Sequence, residues 1–255
     1  MMATEEISAL ADRLDTAQTT CADTPSLADD HAFDIADAYA IQAAVVARRE
    51  SRGERVVGVK LGLTSKAKMA QMGVSEVIVG RLTDAMRIAD GGEVSLAGFI
   101  HPKVEPEVAY RLARDVDLDD PAFDVESAVD AMAPAIEIID SRYRDFRFTH
   151  TDVVADNTSA AGFVLGPWRA FGEAANRAVR LRSGGREVIG STAAILGDPV
   201  RALHALAELC RKRDITLRAG QVVLAGAATE AVPFASGVAE ADITGLGRVS
   251  VRGLT

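Results

Sequence analysis

Short apolar runs punctuated by glycine fill most of the chain after residue 54, and they constrain its fold more than any other feature. Four of them read VVGVKLGL (56–63), GREVIGST (185–192), QVVLAGAA (221–228) and GRVSVRGL (247–254). Runs of this length, rich in valine and bounded by glycine, are typical of β-strands. The chain lacks a regular strand–helix alternation and a GxGxxG sequence after a strand. We therefore predict a β-rich α+β fold rather than a dinucleotide-binding doubly wound sheet.

The first 53 residues follow a different pattern, that of amphipathic helices. Apolar residues recur at helical spacing over 5–17 and 34–52, and Gly53 ends the second of these segments. We predict that residues 1–53 form a helical N-terminal segment packed on a β-rich domain that spans 54–255. Three further helical patterns fall at 65–73, 125–132 and 199–213, the last with Asp198 as its N-cap.

The charge balance limits the classes of partner. The chain has 28 basic and 37 acidic residues, a formal net charge of −9, which disfavours general affinity for nucleic acid or anionic membranes. Its 2 cysteines match neither a disulfide framework nor a zinc motif, which favours a reduced, cytoplasmic setting. We expect no signal peptide, because the N-terminus carries early acidic residues and lacks a basic region followed by an apolar core. We expect no membrane-spanning helix, because no apolar run approaches ~18 residues.

Two glutamates alternate along the segment HPKVEPEVAYRL (101–112). In a strand, Glu105 and Glu107 lie on the same face and repel each other unless a cation lies between them. Glu137 follows in the apolar run APAIEII, where burial of a lone carboxylate would be costly. Three carboxylates suit a hard cation such as Mg²⁺ or Mn²⁺. The alternative is a solvent-facing strand for Glu105 and Glu107 and a structural ion pair for Glu137.

Two other polar features interrupt apolar segments. Lys60 stands alone in VVGVKLGLT, either buried and active in proton transfer or on the exposed side of an edge strand. The residues at 156–159, DNTS, fall between apolar runs that we predict to be strands. Such a cluster is typical of a turn, and it can also present N–H and hydroxyl groups to an anion.

Four motifs in consistent order resemble the 2-keto-4-pentenoate hydratase/4-oxalocrotonate decarboxylase family of the fumarylacetoacetate hydrolase superfamily. They are VVGVKLGLTSKAKMAQMGV, HPKVEPEVAYRL, PAIEIIDSRYRDFRF and VVADNTSA. The resemblance extends from the second helical segment to the C-terminal GLGRVSVRGL. It implies a mixed-sheet roll of the fumarylacetoacetate hydrolase C-terminal type, with 54–255 as the catalytic domain. It also implies a bound Mg²⁺ or Mn²⁺ ion and a small 2-oxo acid as substrate.

The resemblance assigns roles to particular residues. It implies that Glu105, Glu107 and Glu137 are metal ligands and that Lys60 is the catalytic lysine. On the substrate side it places Thr229 at the hydroxyl position of the family's loop. We expect Leu63 and Ser159 to contact the substrate as well, and Arg142 is our candidate for holding a leaving carboxylate. No nucleophile motif is present, in keeping with a reaction that forms no covalent intermediate.

Three details favour a decarboxylase over the related hydratases. SKAKMAQMGV and DSRYRDFRF resemble the decarboxylase versions of these segments, and Val77, Ile78 and Val79 stand where hydratases have a Pro-Asp-aromatic stretch. An apolar wall suits a reaction that excludes water. We therefore expect decarboxylation of 2-oxohex-3-enedioate (4-oxalocrotonate) to 2-hydroxypenta-2,4-dienoate. The alternatives are a 2-hydroxypenta-2,4-dienoate hydratase, a C–C bond hydrolase and a non-catalytic metal-binding protein. Family resemblance also implies a homo-oligomer and association with a homologous hydratase.

Overall fold

A computed structural model describes residues 2–65, 69–70 and 73–255 of the chain. The helices are α1 (Thr4–Thr19), α2 (Ile35–Ser51), α3 (His150–Ala155) and α4 (Val200–Arg213). Helices α1, α2 and α4 lie where their patterns predicted them. The side chain of Asp198 accepts a hydrogen bond from Val200 N–H at the start of α4, as expected of a cap. The predicted helix at 65–73 falls partly outside the described residues.

The strands form two sheets. In chain order they are β1 (Val56–Gly62), β2 (Ile78–Thr83), β3 (Arg87–Ile88), β4 (Gly92–Ser95), β5 (Lys103–Leu112), β6 (Val129–Ile139), β7 (Ala160–Leu165), β8 (Arg169–Ala170), β9 (Ala178–Ser183), β10 (Arg186–Ser191), β11 (Val222–Ala227), β12 (Val232–Pro233), β13 (Gly237–Ile243) and β14 (Gly247–Leu254). Short 3₁₀ turns lie at Leu27–Asp29, Asp84–Met86, Leu96–Gly98, Val125–Ala128, Arg144–Phe146, Asn157–Ser159 and Thr192–Ala194.

Both sheets are mixed, which confirms the predicted α+β fold with a mixed-sheet roll. The larger has the order β2-β1-β11-β5-β6-β7-β3, with β12 beside β5 and β8 beside β6. Its β1–β11 and β3–β7 pairs are parallel, whereas β5 runs antiparallel to β6 and to β11. The second sheet has the order β10-β9-β13-β14-β4. Val104, Ile136 and Ile138 of the larger sheet pack against Leu181 and Val251 of the second.

The N-terminal helices pack on the larger sheet through α3. Leu10, Leu14, Ile41 and Val45 form one apolar cluster with Val154. Helix α2 begins with a capping box between Asp34 and Asp37, and it ends before Gly53, whose φ is +97°. Among the described residues, no helix is both long and apolar enough to cross a membrane.

Side chains cover the outer edge of β2, the edge strand of the larger sheet. The Val79 N–H donates to the Tyr39 hydroxyl at 3.3 Å, and the Val79 carbonyl accepts from Gln42 Nε2 at 2.9 Å. The Arg81 N–H donates to Asn157 Oδ1 at 2.7 Å, and Asn157 Nδ2 returns a bond to the Arg81 carbonyl at 2.9 Å. The Asn157 amide therefore takes the place of a neighbouring strand.

Two local predictions are wrong. The helix expected at 125–132 is a single 3₁₀ turn followed by β6, because pairing with β5 outweighs the helical spacing and Pro134 is incompatible with a helix interior. The apolar run before residue 156 is helix α3 rather than a strand. Thr149 and Asp152 form a capping box that starts this helix.

Candidate metal and active site

The three predicted ligands converge from β5 and β6. Glu105 pairs directly with Glu137 in the antiparallel register, and Glu107 lies two residues further along the same face. The exposed fractions are 5% for Glu105, 0% for Glu107 and 0% for Glu137. One carboxylate oxygen from each lies within 4.8 Å of the others. The alternative of a solvent-facing strand is therefore wrong.

The electrostatics of this cluster call for a cation. Burial, together with the charge of Glu137, raises the pKa of Glu107 well above its usual range. Burial likewise raises the pKa of Glu137 to about 7. Within the described part of the chain, Glu107 Oε1 and Glu137 Oε1 are buried without a hydrogen-bond partner. Converging buried oxygens that lack protein donors fit a hard divalent ion such as Mg²⁺ or Mn²⁺.

A bulge in β11 holds Glu107 in place. The register between β5 and β11 shifts between Leu224 and Ala227, opposite Glu107. At the bulge, the Gly226 N–H donates to Glu107 Oε2 at 2.6 Å. Gly226 has a φ of +113°, and a Cβ there would lie 2.1 Å from Thr64 Oγ1, so only glycine fits.

Lys60 is buried beside the carboxylates. Its exposed fraction is 3%, because β1 lies between β2 and β11 rather than at the sheet edge. The Lys60 Nζ lies 3.0 Å from Glu137 Oε2 and donates to the Thr158 carbonyl at 3.0 Å. The alternative of an exposed edge lysine is therefore wrong. The ion pair of Glu137, which belonged to the alternative to a metal site, is present with Lys60 as its partner.

The segment after α3 has an unusual backbone. Asn157, Thr158 and Ser159 have φ values of 48°, 55° and 58°, a left-handed run that costs conformational energy for residues other than glycine. A Cβ at Gly80 would lie 2.5 Å from the Asn157 carbonyl oxygen, so the close approach of β2 depends on glycine. The hydrogen bonds of Asn157 to Arg81 hold the segment in this conformation. The cluster is a turn, and it carries Thr158 and Ser159 to the wall of a cavity.

That cavity has a volume of about 490 Å³ and opens beside the carboxylates. Of the predicted site residues, it is lined by Lys60, Leu63, Glu105 and Ser159. Its walls are mostly apolar, and the side chains involved are Leu63, Ile78, Ile139, Phe146, Phe148 and Val153. Two further cationic residues, Lys103 and Arg147, line it as well.

Lys103 was missed in the sequence, although strand alternation offered a signal. It precedes Glu105 by two residues and therefore lies on the same face of β5. Its Nζ lies 3.8 Å from the centroid of the Phe146 ring, which positions the ammonium by a cation–π contact. Phe146 stacks in turn on His101, with ring centroids 4.6 Å apart.

Arg142 and Thr229 are not among the residues that line the cavity. The Arg142 guanidinium is buried and bonds to the Asp156 carboxylate and carbonyl, to the Asp140 carbonyl at 2.9 Å and to the Ala160 carbonyl at 3.2 Å. These contacts give it a structural role in place of the expected one at a leaving carboxylate. The Thr229 hydroxyl donates to the Glu230 carbonyl at 2.8 Å.

Comparison with known proteins finds relatives over nearly the whole chain. A 4-oxalocrotonate decarboxylase from a Pseudomonas species is 46% identical over 248 residues, covering 96% of this chain and 97% of the relative. A 2-keto-4-pentenoate hydratase from Paraburkholderia xenovorans is 39% identical over 223 residues, covering 85% and 83%. A scan against family profiles finds no match.

Solved structures agree with these relatives. A 4-oxalocrotonate decarboxylase from Pseudomonas putida G7, complexed with magnesium and adipate, superposes with a TM-score of 0.91 at 36% identity. The alignment covers 100% of this chain and 99% of that one. A fumarylpyruvate hydrolase from Pseudomonas aeruginosa matches with a TM-score of 0.59 at 17% identity, covering 77% and 88%, and shares the fold.

Proposed function

The chain belongs to the family of 4-oxalocrotonate decarboxylases and 2-keto-4-pentenoate hydratases, and on that premise we propose that it is a decarboxylase of 4-oxalocrotonate. The observation that carries this proposal is the 46% identity with a decarboxylase over 96% of the chain. The reaction converts the 2-oxohex-3-enedioate dianion and a proton into 2-hydroxypenta-2,4-dienoate and CO₂. The C5–C6 bond breaks, and its electron pair moves through the conjugated system onto the C2 oxygen.

Glu105, Glu107 and Glu137 would hold the divalent ion, Mg²⁺ or Mn²⁺. When bound, such an ion supplies Lewis acidity toward the C1 carboxylate and the C2 oxo group. The carboxylates lie side by side on one face of two neighbouring strands, so the sheet fixes the distances between them. The bond from Gly226 to Glu107 leaves the other oxygen of that carboxylate free of protein donors.

Lys60 acts on the oxygen that becomes negative. Its ammonium lies at the cavity wall, held between Glu137 and the Thr158 carbonyl. From that position it donates a hydrogen bond to the developing enolate oxygen at C2 and transfers a proton to it. Ser159, on the same wall, orients the C1 carboxylate. Leu63 and Ile78 keep water from the dienolate. Thr229 stays a candidate substrate contact by resemblance alone, since it is not among the residues that line the cavity.

Lys103 suits the second carboxylate of the substrate better than Arg142. Lys103 precedes Glu105 and Glu107 in a row along one face of β5, with successive members about 7 Å apart. This spacing is comparable with the distance between the two ends of a six-carbon diacid. Arg147 also lines the cavity, but its exposed guanidinium is paired with Asp29 at 3.3 Å, so Lys103 is the better candidate. The C6 carboxylate loses its charge as CO₂ forms, so its ion pair with Lys103 strengthens binding of the substrate rather than the transition state.

The hydratase is the alternative function, since hydratases 39% identical to this chain share the family. One assay separates the two. The Mg²⁺-loaded protein is supplied with 4-oxalocrotonate, and the release of CO₂ and the appearance of the dienoate are followed together. CO₂ release without hydration is the expected result. Hydration of 2-hydroxypenta-2,4-dienoate without CO₂ release from the diacid would overturn the proposal.

We also propose a cytoplasmic location and assembly of the protein, as a homo-oligomer and with a homologous hydratase that consumes the dienoate. Both cysteines are free, which suits a reducing compartment. Light scattering of the protein alone and mixed with such a hydratase measures the assembly. A monomer in both samples would contradict it.

A further inference from the structure

A second cavity, of about 420 Å³, lies on the other side of β2 from the catalytic one. Helix α2, the end of α4 and β2 enclose it. Its lining includes Tyr39, Gln42, Arg81, Arg213 and Gln221. None of these residues lines the catalytic cavity.

Two arginines that line this cavity have no acidic partner among the residues that the structure describes. Across the described residues, no hydrogen bond or ion pair involves the Arg81 guanidinium; its recorded bonds to Asn157 use only the Arg81 backbone. The Arg213 Nε is buried and likewise lacks a hydrogen-bond partner. The Arg213 guanidinium carbon lies 5.0 Å from the centroid of the Tyr39 ring, which leaves its donor edge available.

The nearby acids do not neutralise this pair. Glu50 and Asp214 line the cavity and are exposed to solvent. In the described ranges neither forms an ion pair with Arg81 or Arg213, whereas most arginines of the chain have such a pair, for example Arg218 with Asp115 at 2.9 Å. Burial lowers the pKa of Arg81, and the charge of the exposed Glu50 offsets this effect only in part.

A half-buried guanidinium without an acidic partner is costly, and two in one cavity favour a negatively charged occupant. We propose that this cavity is a binding site for an oxyanion, held between Arg81 and Arg213. Guanidinium groups match carboxylate and phosphate geometry through paired N–H donors. The ligand class is therefore a small organic carboxylate or inorganic phosphate, and the site is separate from the proposed decarboxylation.

Its position gives the site a connection to the catalytic cavity. The backbone of Arg81 is bonded to Asn157, which begins the left-handed segment that carries Thr158 and Ser159. Arg81 therefore lines the anion cavity and, through its backbone, supports the wall of the catalytic cavity.

Selenate and phosphate are suitable probes. Crystals of the Mg²⁺-loaded protein soaked in selenate should show an anomalous peak within hydrogen-bond distance of both guanidinium groups.

In solution, phosphate at constant ionic strength should raise the Tm by roughly 2–5 °C over chloride. Acetate and succinate, compared in the same way, distinguish a carboxylate ligand from phosphate. Arg81→Gln and Arg213→Gln should abolish the shift, whereas Arg252→Gln, which removes an exposed arginine from β14, should retain it.

Three results would overturn the proposal. One is an equal Tm response of wild type and Arg81→Gln to every anion. Another is the absence of selenate between the two arginines. The third is density for a carboxylate side chain of a second copy in the cavity, which would make it a protein interface. In chloride alone, Arg81→Gln should be at least as stable as wild type, because the substitution removes an unpaired charge; this keeps the test independent of misfolding.

Discussion

The ion pair between Lys60 and Glu137 joins two strands that are three places apart in the sheet, since β11 and β5 lie between β1 and β6. Neighbouring strands are about 4.8 Å apart, so in a flat sheet these side chains would stand roughly 14 Å apart and parallel. Their nitrogen and oxygen lie 3.0 Å from each other. The sheet must therefore curl strongly, with its concave face toward the carboxylates, and this curvature assembles the site.

Replacing Lys60 by methionine tests its role in proton transfer. The variant keeps the length and apolar stem of the side chain, so we expect the Mg²⁺-loaded protein to remain folded while kcat falls by about 10²–10⁴-fold. Lys212→Met, which removes an exposed lysine paired with Glu76 at 2.8 Å, is the control and should be fully active. Full activity of the Lys60 variant would refute the assignment.

Glu107→Gln tests the metal site with an isosteric change. Loss of one anionic ligand should weaken Mg²⁺ binding and reduce turnover by at least about 100-fold. Calorimetric titration with Mg²⁺ measures the first effect, and CO₂ release measures the second. Glu126→Gln, at an exposed glutamate paired with His204, should change neither. Unaltered Mg²⁺ affinity in the Glu107 variant would show that the cluster is not the metal site.

The stability of the metal-free protein should depend on pH through the same carboxylates. The pKa values of Glu107 and Glu137 are raised in the folded state, to about 7 for Glu137, so the folded protein holds protons that the unfolded chain releases. The corresponding contribution to the free energy of unfolding is complete below pH 4.5 and is lost as pH rises through 7. Calorimetry in EDTA should therefore show the Tm falling over this range.

Added Mg²⁺ should reverse that trend, because binding replaces the protons and affinity grows as they dissociate. The gain in Tm on adding Mg²⁺ should be larger at pH about 8 than at pH about 5. The Glu107→Gln variant serves as the control and should show a shallower fall in EDTA. An identical pH profile with and without metal would contradict the prediction.

Lys103→Met tests recognition of the second carboxylate. We expect KM for 4-oxalocrotonate to rise by about 10–100-fold, the value of one hydrogen bond to a charged group, with kcat changed far less. Turnover of a monoacid dienoate, if any is measured, should not depend on Lys103. Arg144→Met, in the adjacent turn and paired with Asp23 at 2.9 Å, is the control. A loss confined to kcat would contradict a role in substrate binding.

Arg142→Met distinguishes a structural arginine from a substrate ligand. Removal of its charge leaves Asp156 buried without its partner, which should lower the free energy of unfolding by about 3–5 kcal/mol. Adding Asp156→Asn should restore part of that loss in a double-mutant cycle. Denaturant unfolding measures both. If stability were unchanged and KM for the diacid were raised, Arg142 would be assigned to the substrate site instead.

Much of the site was predictable because strand alternation places residues on faces. Glu105 and Glu107 share a face of β5, as the spacing required, and Glu137 lies in an apolar strand that registers with them. The resemblance implied that Lys60 belongs to the same site, and in the structure Lys60 forms a buried ion pair with Glu137. The boundary at residue 53 between a helical segment and the β-rich domain stays a prediction.

The remaining features depend on tertiary contacts that the sequence does not display. Arg142 was a candidate for holding a leaving carboxylate, but Asp156 and three carbonyl groups occupy its donors. The left-handed run at Asn157 is imposed by its bonds to β2, against local preference. The apolar residues of 129–132 have helical spacing, yet this segment pairs with β5 as part of strand β6.

The covering of β2 also decides how copies of this chain can meet. An uncovered edge strand offers N–H and carbonyl groups to any extended segment, which is a common route to aggregation. Here Tyr39, Gln42 and Asn157 already use those of Val79 and Arg81. Assembly by extending the larger sheet past this part of β2 is therefore blocked, and an oligomer must form through other surfaces. The protein can remain concentrated in solution without this edge polymerising.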